Sequence, residues 1–338
     1  MLVSWNTTNQ CNMFCDHCYR DAGARLDDEL STEQAKKLIE EIKQAGFRIM
    51  IFSGGEPLMR PDIFELGQYA TRHGLRVVMG TNGTLISPEV AQKLKTAGFM
   101  AAGVSLDSLD PAKNNAFRKL DNAFQLTCEG MQNLKSAGLP FQVHTTVMDW
   151  NVDELEAICD FAVEIGAMAY HVFFLVPTGR GADIEKEALR VVEYEKTIMR
   201  LMEKQKKISI ELKPTCAPQF IRIGEKKGLS LRFSRGCLAG ISYCIISPRG
   251  DVQPCAYLDI PLGNVKEKAF DRIWSESPIL QELKTMDYKG KCGICDYKEK
   301  CGGCRARAYY YSGGDYMAED NWCLYQPPEA RKRDERDE

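Results

Sequence analysis

The sequence has no run of about eighteen apolar residues, the minimum for a helix that spans a membrane. It has no excess of basic residues either, since 44 Lys and Arg stand against 47 Asp and Glu, a net charge of -3. Such a chain lacks the global positive field that binds nucleic acid. Its opening residues, MLVSW, lack the basic and apolar segments of a secretory signal. We therefore expect a soluble, cytoplasmic protein that binds neither membranes nor nucleic acid.

Cysteine, by contrast, is abundant, with 14 among the 338 residues. Apolar residues make up 44% and charged residues 27%, which is enough to bury a sizeable core in one large or two medium domains. Because a reducing compartment does not favour disulfides, so many cysteines indicate metal or cluster ligation. Eleven fall into two groups, the first being Cys11, Cys15 and Cys18 and the second Cys237, Cys244, Cys255, Cys292, Cys295, Cys301, Cys304 and Cys323.

Three cysteines lie between these groups. Cys128 and Cys159 occur in apolar, helical patterns and are expected to be small buried residues. Cys216 differs, because it stands outside any helical pattern between Pro214 and Pro218. We expect it either in an exposed loop or facing a substrate or a cluster.

Between the cysteine groups, short apolar runs alternate with longer segments of helical period, which predicts βα units and a parallel sheet. The predicted strands are 3–6, 48–52, 76–79, 101–106, 142–147 and 169–175. Six units favour an α/β fold with a partial (β/α)6 TIM-like barrel over a closed eightfold barrel, which needs about 250 residues. In either barrel, functional residues lie at the C-terminal ends of the strands.

Regular periodicity fades near residue 210, where Gly, Pro, Cys and Tyr become frequent, the composition of a small fold held together by metal. We predict a partial barrel over 1–210, a small cluster-binding domain over 211–326 and a charged tail over 327–338. A capping box at Ser31 should open the first helix of the barrel. A long helix is expected over 185–207, before the second domain.

The first cysteine group has the spacing CxxxCxxC on the loop after the first strand. Three thiolates can ligate three irons of a [4Fe-4S] cluster and leave the fourth iron open to another ligand. A zinc site with His17 as fourth ligand is the alternative, although a position between two ligands gives poor chelation geometry. The motif resembles that of the radical SAM superfamily. This resemblance implies that S-adenosylmethionine binds the open iron and yields a 5'-deoxyadenosyl radical, which abstracts hydrogen from a substrate.

The resemblance also implies residues that bind S-adenosylmethionine, while no catalytic side chain is expected because the cofactor generates the radical. Gly54-Gly55-Glu56-Pro57 is similar to the family's GGEP turn, whose glycines let the backbone approach the methionyl group and whose Glu56 can meet its ammonium. A plain strand-to-helix turn is the alternative. Further polar candidates at or after strand ends are Asn82, Ser105, Asp107, Thr146 and Arg180. Arg180 alternatively braces the loop.

The second cysteine group supplies eight thiolates, the number for two four-cysteine clusters. Its pattern resembles the SPASM extension of radical SAM enzymes, although Gly302-Gly303 leaves two residues before Cys304 where the family usually has three. The resemblance implies three [4Fe-4S] clusters in all. The implied auxiliary sets are Cys237, Cys244, Cys255 and Cys304 for one cluster, and Cys292, Cys295, Cys301 and Cys323 for the other. Zinc bound by the CxxC pairs is the alternative.

At finer grain, the segments LVSWNTTNQCNMFCDHCYRDAG, FFLVPTGRG and KPTCAP resemble the NirJ-type proteins of heme d1 and alternative heme biosynthesis. This implies a siroheme-derived tetrapyrrole that loses acetate or propionate groups, and an electron donor such as flavodoxin or ferredoxin. Residues that could hold a carboxylated, iron-bearing macrocycle are His144, His171, Lys213, Arg232, Arg235, Arg305 and Arg307. Buried strand histidines and solvated surface charges are the alternative for these residues.

Two other functions stay open on the sequence. One is a SPASM maturase of a ribosomally made peptide, although ten residues before Cys11 leave no room for the N-terminal peptide-binding domain that many of these enzymes carry. The other is a non-enzymatic protein, either an iron-sulfur electron carrier or a zinc-stapled binding protein. Metal analysis separates the last class, because three clusters require about twelve irons per chain.

Overall fold

The structure is a computed structural model that describes residues 1–328. The predicted charged tail, 327–338, lies outside the described residues from residue 329 onward. No helix in the described part of the chain has both the length and the apolar character needed to cross a bilayer. The described strands are β1 (Leu2–Asn6), β2 (Ile49–Ser53), β3 (Arg76–Thr81), β4 (Phe99–Ser105), β5 (Phe141–Val147), β6 (Ala169–Phe174), β7 (Glu211–Thr215), β8 (Tyr243–Ile246), β9 (Asp251–Gln253) and β10 (Gly263–Asn264).

These strands form one sheet in the order β10-β9-β8-β1-β2-β3-β4-β5-β6-β7. β1 to β7 pair in parallel, as the βα alternation predicts, and β8 pairs in parallel with the other edge of β1. β9 and β10 complete the sheet with antiparallel pairings. Because β7 and β10 lie at opposite edges, the sheet is open. The α/β class with a parallel sheet is therefore confirmed, and the six predicted strands are present to within two residues at either end.

Strands that the apolar pattern did not predict extend the sheet at both sides. β7 has the sequence ELKPT, in which Lys213 and Pro214 interrupt any apolar run, yet it pairs with β6. Proline is tolerated there because an edge strand leaves one side of the hydrogen-bond ladder free. The sheet thus continues past residue 210, and a domain boundary at that position stays a prediction.

Helices fill the connections between strands. They are α1 (Thr32–Gln44), α2 (Ile63–Arg72), α3 (Pro88–Thr96), α4 (Pro111–Arg118), α5 (Ala123–Ala137), α6 (Leu155–Glu164), α7 (Val191–Gln205), α8 (Phe220–Lys226), α9 (Phe270–Glu276), α10 (Pro278–Thr285), α11 (Gly290–Gly293) and α12 (Arg305–Tyr311). The capping box that opens α1 is confirmed, since Ser31 Oγ accepts from the N–H of Gln34 and Gln34 Oε1 accepts from the N–H of Ser31. The helix predicted over 185–207 is shorter, because Ala188 has extended backbone and Leu189 is buried in the core before α7 begins.

Alternation along the strands separates two faces of the sheet. Val3, Val143 and Val172 are fully buried on the face that the helices cover. Residues adjacent to them in sequence are directed to the opposite face, here called the inner face, where those of β5 and β7 are half-buried, as are His171 and Phe173 of β6. Four polar residues stand side by side across β4 to β7 on the inner face and are called the inner row: Ser105, His144, His171 and Lys213.

Candidate functional site

The three cysteines of the first group lie close together on the loop that follows β1. Burial raises the pKa of the Cys11 thiol to about 12, and the neighbouring thiols of Cys15 and Cys18 add to the rise. The N–H of Met13 donates to Cys11 Sγ and the N–H of Ala22 donates to Cys18 Sγ, each at 3.4 Å. Such donors favour the thiolate, which is the form that ligates metal. Three converging thiols with sulfur-directed N–H groups fit a cluster held by three ligands.

The turn after β2 packs directly against this loop. The N–H of Gly55 donates to Thr8 O and the N–H of Glu56 donates to Gln10 O, both at 2.8 Å. A Cβ atom on Gly54 would lie 2.6 Å from Thr8 O, and one on Gly55 would lie 2.4 Å from Gln10 O. Both glycines are therefore required by the backbone of the cysteine loop itself, a reason that the sequence did not reveal.

Glu56 anchors the turn from within the protein. Its side chain is fully buried, and its carboxylate accepts hydrogen bonds from the Thr81 hydroxyl at 2.8 Å, the Asn82 N–H at 2.8 Å and the Leu58 N–H at 3.2 Å. Burial raises the pKa of Glu56 to about 7, and these hydrogen bonds oppose the rise. Asn82 Nδ2 in turn donates to Asn12 Oδ1 of the cysteine loop at 2.8 Å. Glu56 and Asn82 thus join the turn, β3 and the loop into one hydrogen-bonded unit.

Asp107 follows β4 and is fully buried. Arg118 Nη2 lies 2.6 Å from one carboxylate oxygen, and the Thr146 N–H donates to the other at 2.7 Å. Arg118 was missed by sequence reasoning, because the last residue of α4 carries no motif. Its guanidinium lowers the pKa of Cys15, whereas burial, the larger effect, raises it. Of the predicted residues in this area, Ser105 and Thr146 are half-buried on the inner face, whereas the Asp107 side chain binds within the protein.

Arg180 braces the cysteine loop from the segment after β6. Its N–H donates to Cys18 O at 3.0 Å and its Nε donates to Cys15 O at 2.9 Å. Its guanidinium also pairs with Asp21 at 2.7 Å and lies 3.8 Å from the ring centroid of Phe14. These contacts favour the structural alternative given for Arg180 above.

One predicted auxiliary set is brought together in the structure. One cleft is lined by the four cysteines Cys292, Cys295, Cys301 and Cys323. The N–H of Asp320 donates to Cys292 Sγ and the N–H of Tyr297 donates to Cys295 Sγ, both at 3.4 Å. The cleft also contains the cations Arg222, Lys291 and Lys298. Four thiols with backbone donors and positive charge around them fit a four-thiolate cluster, whose net charge is negative.

The other predicted set is brought together only in part. Cys255 and Cys304 lie in one small apolar cluster, and the nearby thiol of Cys237 adds to the burial that raises the pKa of both. Cys244 lies elsewhere, in the main core, whereas Cys216 packs into the small cluster.

Among the described residues, no three His, Cys, Asp or Glu side chains converge tightly enough to hold a single metal ion. A cube of four irons holds its thiolates further apart than one ion does.

Two of the proposed substrate-binding cations are buried. Arg305 and Arg307 are 1% and 0% exposed. Arg307 forms an ion pair with the fully buried Asp320, and Arg305 donates to backbone carbonyls of Tyr316 and Ala318. Both guanidinium groups are therefore bound by partners within the protein.

Lys213 of the inner row keeps partial exposure, with its Nζ 3.7 Å from the ring centroid of Phe233. Burial lowers the pKa of Lys213. Arg232 is largely exposed and lies 3.7 Å from Glu211, while Arg235 donates to Cys237 O at 3.0 Å.

The two histidines of the inner row stack on each other, with ring centroids 5.2 Å apart and planes inclined by 3°. His144 Nε2 lies 3.0 Å from Gln142 Oε1, and His171 Nε2 lies 3.0 Å from Glu211 Oε1. A Cβ atom on Gly103 would lie 2.3 Å from His144 Cε1, so this glycine makes room for the ring. Burial lowers the pKa of both histidines. Burial thus favours the neutral ring, the state in which imidazole ligates metal.

Comparison with known proteins gives two family matches, to the Radical SAM superfamily over residues 5–162 and to the SPASM iron-sulfur cluster-binding domain over residues 237–305. The AdoMet-dependent heme synthase of Methanosarcina barkeri (strain Fusaro / DSM 804) is 42% identical over 340 residues, which cover 96% of this chain and 97% of that protein. The Fe-coproporphyrin III synthase of the same strain is 32% identical, covering 95% and 87%. Among solved structures, Streptococcus suis SuiB bound to precursor peptide SuiA has a TM-score of 0.76 at 17% identity, covering 96% and 76%, which is a likeness of fold.

Proposed function

The chain belongs to the radical SAM superfamily and carries a SPASM iron-sulfur domain, and from this premise we propose that it forms heme, or a close relative of heme, from a siroheme-derived iron tetrapyrrole. In the proposed reaction, a hydrogen atom is taken from a carboxylated side chain of the macrocycle and the carboxylate is then lost. The observation that carries the proposal is the 42% identity, over nearly the whole chain, to an AdoMet-dependent heme synthase. The similarity to an Fe-coproporphyrin III synthase supports the same substrate class.

The chemistry of the macrocycle specifies what must be removed. Heme carries vinyl groups where coproporphyrin carries propionates, and the change of one propionate into a vinyl group releases a hydrogen atom, CO2 and one electron. A [4Fe-4S] cluster with bound S-adenosylmethionine supplies the carbon radical that takes the hydrogen atom. The electron requires a one-electron acceptor, and a redox protein of the flavodoxin or ferredoxin class would serve, as it would for reduction of the enzyme.

The residues around the cysteine loop have distinct proposed roles. Cys11, Cys15 and Cys18 hold the cluster at the C-terminal end of β1. The backbone of the Gly54–Glu56 turn faces the methionyl ammonium, while the buried Glu56 carboxylate fixes that turn. Asn82 and Ser105 bind the polar parts of S-adenosylmethionine from the ends of β3 and β4.

The other three members of the inner row, His144, His171 and Lys213, supply the proposed contacts to the macrocycle. Phe173 lies 5.2 Å from His144 and, with the stacked histidines, forms an aromatic surface suited to a flat ring. Either neutral histidine offers a nitrogen to the tetrapyrrole iron. Lys213 lies at the end of the row and offers an ammonium to a side-chain carboxylate.

The experiment is anaerobic titration of the reconstituted enzyme with didecarboxysiroheme and, separately, with iron coproporphyrin III. Turnover with S-adenosylmethionine and a reductant is followed by mass analysis of the pigment. We expect binding with a spectral change for one of the two, and a mass loss of CO2 and two hydrogens for each side chain converted to vinyl. His144→Gln or His171→Gln should shift the spectrum of the complex if that histidine ligates iron.

A matched control separates binding from chemistry. The Cys18→Ala variant should bind the pigment without converting it, because the inner row is intact. Absence of binding at tens of micromolar, a range worth roughly 6 to 7 kcal/mol, would contradict the tetrapyrrole proposal and return the peptide substrate as the leading hypothesis. About twelve irons per chain would support three clusters.

A further inference from the structure

The structure distributes the thiols of the second cysteine group unevenly. Four line one cleft, while Cys255 and Cys304 lie in the small apolar cluster with the thiol of Cys237 near both of them, and these last three are here called the group of three. A closed [4Fe-4S] cluster has four ligands. Two cysteines are candidates for the fourth position: Cys244, which the sequence predicted, and Cys216, which the sequence left unassigned.

Cys244 is directed away from the group of three. It lies in β8 opposite Val3 of β1. Its neighbour Tyr243 donates a hydrogen bond to Ser4 at 3.1 Å, and alternation along the strand places Cys244 on the other face, beneath the helices. There it is fully buried in the main core. Burial alone raises the pKa of its thiol, with no contribution from another cysteine.

Cys216 is directed toward the group of three. It comes directly after β7, with a φ of +59° that turns the chain out of the sheet. It packs into the same small apolar cluster as Cys255 and Cys304. The thiols of Cys304, Cys255 and Cys237 lie near enough to act electrostatically on the Cys216 thiol.

One buried ion pair holds the two relevant segments together. Arg307 Nη1 donates to Cys216 O at 2.9 Å. Its partner Asp320 accepts a hydrogen bond from the N–H of Cys304 at 2.8 Å. The position of Cys216 relative to Cys304 is therefore set by the side chains of Arg307 and Asp320, which are both fully buried.

We propose that Cys216 is the fourth thiolate of the first auxiliary [4Fe-4S] cluster, together with Cys237, Cys255 and Cys304, and that Cys244 is a core residue with no metal role. The ligand lies outside residues 237–305, which match the SPASM family. It comes instead from the end of β7, so that the edge of the parallel sheet is bound to the cluster. The assignment holds whatever the substrate of the enzyme is.

The test compares full-length, anaerobically reconstituted wild-type protein with Cys216→Ala, Cys216→Ser and Cys244→Ala variants. Iron and acid-labile sulfide are measured per chain, and the clusters are characterised by EPR and Mössbauer spectroscopy. Cys216→Ala should lose about four irons per chain, or convert one cluster into a three-iron form with an EPR signal in the oxidised protein. Cys244→Ala should keep the wild-type iron content and spectra.

Two further variants separate loss of a cluster ligand from misfolding of the Cys216→Ala protein. Cys295→Ala, which removes a thiol from the other set, shows what loss of a neighbouring cluster does to circular dichroism and thermal melting. If Cys216→Ala is insoluble, Cys216→Ser decides, because serine nearly preserves volume and ligates iron poorly. Unchanged iron and spectra in a Cys216 variant, or cluster loss in Cys244→Ala, would overturn the proposal. No substrate enters these assays, so failure of the proposed reaction would leave their outcome unaffected.

Discussion

The ion pair of Arg307 and Asp320 gives a quantitative test of how the cluster-bearing part of the chain is held together. Two contacts join the side chains, Nη2 to Oδ2 at 2.9 Å and Nε to Oδ1 at 3.0 Å, and neither residue is exposed. Asp320→Asn preserves the shape but leaves the guanidinium as an unpaired buried charge. Breaking a buried ion pair from one side costs about 3 to 5 kcal/mol. The same substitution weakens the acceptor for the Cys304 N–H, so iron retention should fall as well.

The matched control is Asp315→Asn, since Asp315 pairs with Lys289 at the surface, where the side chains are 35% and 67% exposed. Exposed pairs contribute about 0 to 1 kcal/mol. We therefore expect the two variants to differ by at least about 2 kcal/mol in the free energy of unfolding. The assay is anaerobic urea unfolding of the reconstituted protein, followed by circular dichroism and by iron released. Equal urea midpoints and equal iron in the two variants would refute the role given to this ion pair.

Three further outcomes are expected. Cys18→Ala should abolish release of 5'-deoxyadenosine from S-adenosylmethionine, measured by chromatography after anaerobic reduction, and undiminished cleavage would contradict the assignment of the first cluster. Gly55→Ala should displace the cysteine loop and lower the iron content, because the new Cβ would lie 2.4 Å from a backbone oxygen. The control is Gly23→Ala, whose Cβ would have its nearest contact at 3.7 Å and which should behave as wild type. Burial lowers the pKa of His144. Below about pH 6.5 the unfolded state therefore binds more protons than the folded state does, so the free energy of unfolding should fall as the pH drops from about 7 to 5. His144→Gln should flatten this dependence in urea midpoints, and an identical pH profile would show that the imidazole is not held neutral by the fold.

Patterns in the sequence correctly predicted the structural features that depend on residues close together in the chain. The apolar run of β2 and the capping box at Ser31 correspond to a strand and a helix start in the structure. The resemblance to the SPASM pattern implied a shared site for Cys292, Cys295 and Cys301, and the structure places these residues around one cleft. In each case the signal and the structure it specifies lie within a few residues of each other.

The features that sequence reasoning missed depend on pairings between distant segments. β8 was not predicted, and only its register with β1 decides that Cys244 is directed into the core. Arg118 has no motif, and its role arises from its contact with Asp107. In the sequence Arg307 cannot be told from a surface cation, because only the fold brings Asp320 beside it. The ligand roles of the cysteines and the residues for S-adenosylmethionine remain predictions, to be tested by the variants above.

The pairing of β8 with β1 has a consequence for how the protein is made on the ribosome. β1 is synthesised before β8, so one of its edges stays without a partner until residues 243–246 have emerged. An unpaired strand edge is open to wrong partners, and long-range parallel pairing forms slowly. Because the first cysteine group follows β1 directly, its supporting strand is incomplete until β8 has been made. We expect iron-sulfur loading of that loop to follow the synthesis of β8.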